Sequence, residues 1–333
     1  MRLGNIAILG AGGWGTALAV LWSKKGCEVL LWGNTPERVE QLRSTRINSS
    51  YLPGVKIPDS LGLTSDLSDC VNAGLIVFVT PSTALRKIAT DLRPALSSEQ
   101  TVLLSCSKGI EHGSGMRMSE VLREIFPANP VAVLSGPNLA AEVALELPTA
   151  SVLACTDRTI SPHLQTFLGA PRFRIYTGED LPGIELGGAL KNVFAIAAGA
   201  SDGLGLGDNS KAALVTRSLA EMIRLGTAMG GKLATFYGLS GAGDLILTCF
   251  SRRSRNRHVG EELGRGKSLP AITGTMEMIA EGIPTAKSAQ ECARKLGVDA
   301  PIIGQVYDLL YREKSATKAM EELLSREQKP EQI

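Results

Sequence analysis

Short, nearly continuous apolar runs recur through the first half of the chain: NIAIL at 5–9, EVLLW at 28–32, LIVFV at 75–79, TVLLSC at 101–106, VAVLSG at 131–136 and ASVLAC at 150–155. Strands this apolar are covered on both faces, as in parallel sheets flanked by helices. Segments 14–25, 83–92 and 116–126 between them have helix length and predict the crossovers. After about Leu181 the strand-like runs stop. Ala-, Leu-, Gly-, Glu- and Lys-rich segments follow, predicting helices over 184–200, 210–229, 254–265, 276–281, 285–295 and 302–311. The pattern therefore predicts an α/β domain over 1–180, with a doubly wound parallel sheet, and an all-helical domain over 181–333. The boundary falls in the turn-rich TGEDLPG.

Composition supports this division. At 333 residues the chain has room for two domains, and 44% hydrophobic with 20% charged residues is the balance of a globular protein with a core. The formal net charge of +2 gives no global basic field, so no nucleic-acid partner is expected. The six cysteines are scattered without a C-x-x-C pair, and there are three histidines. Reduced thiols and no metal cluster are expected, in a cytoplasmic protein. No signal or transit segment precedes the first strand, and no apolar run approaches the roughly 20 residues that span a bilayer, so no stable membrane anchor is expected. The end of the chain, SREQKPEQI, reads as a frayed tail.

The first chemical signal is GAGGWG at 10–15, a G-x-G-x-x-G between the NIAIL strand and the TALAVLW helix. In that setting Gly10 makes the tight turn, Gly12 lets the backbone approach a pyrophosphate and Gly15 lets helix pack on strand. A ligand-free glycine turn is the bland alternative; the flanking elements favour a Rossmann-type dinucleotide site. The EVLLW strand runs into Gly33-Asn34-Thr35, with no acidic residue for the ribose 2′-hydroxyl of NAD; the nearest cation is Arg38. NADP or NAD both stay open, and exclusive NAD use is disfavoured. The other strand ends carry Thr80-Pro81-Ser82, Ser107-Lys108-Gly109 and Gly136-Pro137-Asn138. Lys108 is either aimed by topology at the ligand crevice or a surface lysine in a turn.

The second signal is ELGGALKNVFAIAAG at 185–199. On a helix, Gly187, Gly188, Ala195 and Ala198 share a face with Lys191. Each glycine costs a helix roughly 0.5–1 kcal/mol relative to alanine, a cost that close approach of a ligand or another backbone would offset. Lys191 is then either desolvated, with a pKa drawn toward the range for proton transfer, or a lysine that snorkels to solvent beside a tight helix contact. Asp244, in the apolar LSGAGDLILTC, needs a lysine or a substrate hydroxyl as partner. SRRSRNRH at 251–258 is either a solvated basic face or an anion site, for which arginine forks are suited.

GAGGWGTALA, VTPS, SKGIE, LSGPNLAAEV, ALKNVFAIAAG, GAGDLILTC and SRNR occur in this order. Together they resemble the bacterial type of NAD(P)-dependent sn-glycerol-3-phosphate dehydrogenase, from about residue 4 to about 325. The resemblance implies interconversion of dihydroxyacetone phosphate and sn-glycerol 3-phosphate, feeding glycerophospholipid synthesis. It implies that Lys191 is the proton donor and acceptor, that Lys108 lies near cofactor and substrate, and that Asp244 completes the catalytic set. Gly136, Asn138, Ser254, Arg255 and Asn256 match substrate positions. Gly13, Trp14, Ala140, Arg255 and Glu281 match cofactor positions beside Gly10, Gly12 and Gly15. The chain departs from the pattern at Asn138, where Ser is more frequent, at Asn34, where a basic residue is common, and at Gly13, usually Ser. A homodimer is left open. A β-hydroxyacid dehydrogenase would be expected to carry Asn four residues after the lysine; here that position is Ala195, with Asn192 adjacent. A UDP-sugar dehydrogenase needs a catalytic cysteine in a Gly-rich setting, which Cys106 and Cys249 lack. A dinucleotide-binding regulator without turnover would need neither Lys191, Asp244 nor Arg255.

Overall fold

The computed structural model describes residues 3–328 and 330–331. The chain forms two compact units, Met1–Lys108 with Arg117–Ile184, and Gly109–Met116 with Glu185–Ile333. In chain order the first unit contains β1 (Ile6–Leu9), α1 (Gly13–Lys24), β2 (Val29–Trp32), α2 (Pro36–Thr45), β3 (Gly62–Thr64), β4 (Leu75–Phe78), α3 (Ser82–Leu92) and β5 (Val102–Ser105). It continues with α4 (Met118–Ile125), β6 (Val131–Ser135), α5 (Ala140–Ala144), β7 (Thr149–Cys155), α6 (Ser161–Leu168) and β8 (Phe173–Thr177).

The strands form one sheet in the order β3-β2-β1-β4-β5-β6-β7-β8. Every residue of β1, β4, β5 and β6 is buried, as their unbroken apolar character requires. Strand order reverses between β1 and β4, so the loops after these two strands flank a topological switch point. The sheet departs from the all-parallel expectation at one place: β6 and β7 pair antiparallel. Residues 136–148 hold only the five-residue α5, too little for a covered crossover, so the chain turns back instead. The sequence pattern also missed β3, which is three residues long, and β8, whose FRIYT alternates buried and exposed along its first three positions.

The second unit is helical among its described residues: α7 (Leu181–Gly203), α8 (Gly207–Ala228), α9 (Leu233–Phe236), a π-helical turn (Leu239–Gly243), α10 (Asp244–Phe250), α11 (Arg255–Gly264), α12 (Leu269–Thr273), α13 (Gly282–Leu296), α14 (Pro301–Tyr311) and α15 (Ala316–Leu324). Its glycines answer the question of helix cost. A side chain at Gly199 or Gly203 would strike the carbonyls of Arg257 or Glu261, and one at Gly260 or Gly264 the carbonyls of Ile196 or Ala200. Helices α7 and α11 therefore meet backbone to backbone, and that contact offsets the poor propensity.

The expected helix over 276–281 is absent: residues after Gly274 form a bend, and α13 begins at Gly282. Gly274 closes α12 and Gly282 opens α13, so the residues between them form the connection rather than an element of their own. The segment Gly109–Met116 packs with the helical unit. Ile110 joins its core, His112 Nδ1 lies 3.3 Å from Glu291, and Lys295 donates to the Gly113 carbonyl at 3.3 Å. The helix expected from residue 116 starts instead at Met118. The stretch Leu233–Phe250 is long and apolar enough to cross a membrane by composition, yet it is three short helical pieces and carries buried Asp244. At the chain end Arg326 pairs with Asp299; Lys329, Gln332 and Ile333 of the expected frayed tail lie outside the described residues.

Candidate active site

The glycine loop has the geometry that its spacing demands. Gly10 has φ +124°, and a Cβ there would lie 2.5 Å from the Val79 carbonyl oxygen. A Cβ at Gly15 would collide with the Gly10 carbonyl, while Gly12 has open space where its Cβ would point. Two glycines are thus fixed by packing and the third leaves a free approach to backbone. The loop is braced: the Asn48 amide donates to the Ala11 carbonyl at 3.0 Å and to Thr16 Oγ1 at 2.7 Å. Gly13 opens α1, whose first-turn N–H groups lack intrahelical acceptors and so suit an anion, and a Cβ there would meet the Tyr51 carbonyl at 2.7 Å and Ala140 at 3.9 Å. Trp14 is half-buried, with its ring 6.5 Å from that of Phe173.

The other strand ends of this unit surround the loop's sheet edge. Asn34 is exposed after β2 and accepts from the Thr35 hydroxyl at 3.3 Å. Arg38 lies over the Tyr51 ring, 5.0 Å from its centre, and donates to its hydroxyl. Lys108 is half-buried, with Nζ 3.0 Å from the Gly136 carbonyl oxygen. Gly136 itself has φ +143° and passes close to Ser151. Ser151 donates to Asn138 Oδ1 at 3.0 Å, leaving the buried Asn138 Nδ2 without a hydrogen-bond partner among the described residues; Thr80 Oγ1 is in the same condition. Buried orphan donors beside an open backbone loop fit a polar ligand at this edge.

In the helical unit Lys191 does not snorkel. Its ammonium is buried and donates to Asp244 Oδ1 at 2.9 Å and to Thr248 Oγ1 at 2.7 Å. Gly187, one turn earlier, lets Ser240 of the π-helical turn approach, since a Cβ there would lie 2.6 Å from its carbonyl. That turn delivers Asp244 to the start of α10. Thr248, one helical turn on, donates back to the Asp244 carbonyl at 2.6 Å. Thr248 was not singled out from the sequence; its i+4 spacing from Asp244 in DLILT is the signal that could have found it.

The arginine cluster divides. Arg252 and Arg253 are exposed, Arg257 turns to Asp202, and Arg255 donates to the Ile279 carbonyl at 2.9 Å. Crowding around the surface-exposed Arg255 guanidinium lowers its pKa, and the Glu281 charge opposes this; an arginine stays charged under both. Ser254 caps α11, accepting from the Arg257 N–H at 3.1 Å. Asn256 donates to Asn192 Oδ1 at 2.9 Å and accepts from the Gly282 N–H at 2.8 Å, beside Glu281 at the start of α13. Asn192, noted in the sequence only for its spacing, proves to orient Asn256. Burial pushes the Cys106 and Cys249 thiols up to about 12, unlike a nucleophilic thiolate.

The structure thus brings Gly10, Gly12, Gly13, Trp14, Gly15, Asn34, Lys108, Gly136, Asn138 and Ala140 to one sheet edge. It gathers Lys191 with Asp244, and Ser254, Arg255 and Asn256 with Glu281. Comparison with known proteins matches two family models to the chain. Residues 5–161 match the NAD-dependent glycerol-3-phosphate dehydrogenase N-terminus and residues 180–321 its C-terminus. Glycerol-3-phosphate dehydrogenase, NAD(P)+, from Citrifermentans bemidjiense is 48% identical over 99% of both chains. The enzyme of that name from Geobacter metallireducens is 49% identical over 98% of both. The crystal structure of glycerol-3-phosphate dehydrogenase from Coxiella burnetii superposes with a TM-score of 0.94 at 39% identity, covering 97% of this chain and 99% of that one.

Proposed function

The chain belongs to the NAD-dependent glycerol-3-phosphate dehydrogenase family, and on that premise we propose which of its residues perform the reaction. It is an oxidoreductase that reduces dihydroxyacetone phosphate to sn-glycerol 3-phosphate with NAD(P)H. The buried Lys191–Asp244–Thr248 group carries the assignment.

When bound, the nicotinamide supplies the hydride that reduces the ketone carbon. Gly12 and the first N–H groups of α1 hold the pyrophosphate, with Gly10 and Gly15 shaping the turn. As charge develops on the carbonyl oxygen, Lys191 transfers a proton to it, and Lys108 stabilises the same charge. Asp244 and Thr248 fix the ammonium that makes this transfer. Ser254, Arg255 and Asn256, at the start of the ten-residue α11, hold the phosphate through side chains and backbone N–H groups. Gly136 and Asn138 complete the substrate contacts, and Trp14, Ala140, Arg255 and Glu281 those of the cofactor. Binding of the remote phosphate positions the reacting carbon.

The absence of an acidic residue at Asn34, with Arg38 nearby, favours NADPH over NADH. In this reading the product feeds glycerophospholipid synthesis in the cytoplasm, the enzyme needs no nucleic-acid partner or membrane anchor, and a homodimer is compatible with it. The test is nicotinamide absorbance with dihydroxyacetone phosphate, NADPH and NADH in parallel, and unphosphorylated dihydroxyacetone as control. Rapid oxidation with the phosphorylated ketone alone is expected. Equal rates with both ketones would remove the phosphate site.

A further inference from the structure

One carboxylate in the helical unit collects two buried cations that the proposed chemistry does not use. Asp202 Oδ2 lies 2.8 Å from Lys211 Nζ and 2.6 Å from both Nε and Nη2 of Arg257. The Lys211 and Arg257 side chains are only 7% and 12% exposed. Arg257 also reaches Glu261 at 3.4 Å, and Lys211 Nζ sits 4.8 Å from the centre of the Phe250 ring.

The positions of these residues matter more than their number. Asp202 is in the last turn of α7, Lys211 in the first turns of α8, Phe250 ends α10 and Arg257 is in the first turn of α11. Lys191 is on α7, Asp244 and Thr248 are on α10, and Ser254, Arg255 and Asn256 begin α11. The junction therefore joins every helix that carries these groups. Arg257 is tied twice, its backbone N–H to Ser254 Oγ and its guanidinium to Asp202. Buried Cys249 feels the charges of Lys191, Lys211, Asp244 and Asp202 together, so both ion-pair groups act on one thiol.

Buried ion pairs are poor sources of net stability, because desolvation consumes most of the attraction; what they can supply is register. We propose that Asp202 is a positioning residue: by holding Arg257 and Lys211 it sets the start of α11, and with it Ser254, Arg255 and Asn256, relative to Lys191. This rests on the reading that those three residues hold the substrate phosphate. A shift of the phosphate site weakens binding of the remote group and misplaces the ketone carbon against an intact Lys191–Asp244–Thr248 group, so KM rises and kcat falls.

The test is steady-state kinetics of the full chain with dihydroxyacetone phosphate, beside NADPH binding by fluorescence titration. Asp202→Asn is expected to raise KM about 10-fold or more and to lower kcat, while NADPH affinity, to which Arg255 alone of the three contributes, falls less than about 3-fold. Asp202→Glu should restore KM to within about 3-fold of wild type. Arg257→Lys, which keeps the charge and loses the fork, should raise KM alike and add nothing in the double variant. If Asp202→Asn does not fold, Arg257→Lys carries the same reading. An unmoved KM, or a KM that rises further in the double variant, overturns the proposal. A wild-type chain that fails to turn over dihydroxyacetone phosphate overturns the underlying reading as well, so the two failures are distinct.

Discussion

The sheet unit and the helical unit prepare for a ligand by opposite means. No strand of the sheet buries a charged residue, and its candidate site is built chiefly from glycines and backbone groups at strand ends, with the half-buried Lys108 and the amides of Asn34 and Asn138 beside them. The helical unit buries Glu185, Lys191, Lys211, Glu221, Asp244 and Glu262, against Arg117 and Asp180 in the sheet unit. Backbone is placed by the fold itself, so the sheet site needs only small residues where chain meets chain. Side-chain charges must be held by other charges and pay desolvation for it. Substitutions should therefore fail differently in the two units: by collision in the first, by an orphaned charge in the second.

Lys191→Ala sharpens this most. Turnover with dihydroxyacetone phosphate should fall by about 10²–10⁴-fold, the usual contribution of a general acid, with NADPH binding unchanged. Asp244 is then left buried without its cation, at a cost of about 3–5 kcal/mol in unfolding free energy. Adding Asp244→Asn should recover much of the stability and none of the turnover. Denaturant unfolding of the single and double variants beside their kinetics checks this. Recovery of turnover in the double variant would take Lys191 out of the chemistry.

The glycine pair tests the other unit. Gly15→Ala places a methyl group on the Gly10 carbonyl and should prevent folding or lower stability by at least about 3 kcal/mol. Gly12→Ala meets open space at φ −76°, so the melting temperature should hold while NADPH affinity drops about 10-fold or more. Thermal unfolding and NADPH titration on both variants separate the two roles. Equal losses of stability would mean that Gly12 is a packing residue like Gly15.

The same contrast explains what the sequence disclosed. The sheet was legible because period and apolarity are local: β1, β4, β5 and β6 stand where the runs stand. The run of β7 was legible too, but its antiparallel direction was not, since direction depends on how little helix lies between Ser135 and Thr149. Lys191 and Asp244 stood out as lone charges in apolar stretches, but 53 positions separate them, and only the fold shows that they pair. The α7–α11 glycine contact and the Asp202 junction join residues from distant helices, which no spacing rule reaches. The false helix over 276–281 has a different cause: its composition allows a helix, but the segment is the connection between α12 and α13.

Glu221 gives a smaller, pH-dependent effect in the helical unit. Fully buried on α8, it accepts the N–H groups of Ile302 and Ile303 at 2.9 and 2.7 Å, capping α14. Burial raises its pKa from 4.5 to about 7, against those two N–H groups and Arg224; Asp299 adds to the rise. With the folded value above the unfolded one, the folded state binds the extra proton between these limits. Its contribution to stability therefore falls as pH rises from about 4.5 to about 7 and is flat above, by an amount on the order of 3 kcal/mol. Glu221→Gln should flatten that part of the profile of unfolding free energy against pH. An unchanged slope between pH 5 and 7, to within about 0.5 kcal/mol, would mean that the two N–H groups keep the carboxylate ionised.

The mildest effect belongs to Arg38, the cation nearest in sequence to the end of β2. Arg38 is exposed and rests on Tyr51, so its bond to a 2′-phosphate would be screened by water and salt. Arg38→Ala should weaken NADPH binding about 3–10-fold, less at high ionic strength, and leave NADH binding unchanged. Calorimetric titration with both coenzymes at low and high salt reads this directly. A loss shared by NADPH and NADH would place Arg38 in support of the Tyr51 backbone against Gly13. That outcome would make the β2 turn another packing device, as the rest of this unit is, and would leave coenzyme choice to Asn34 and Thr35.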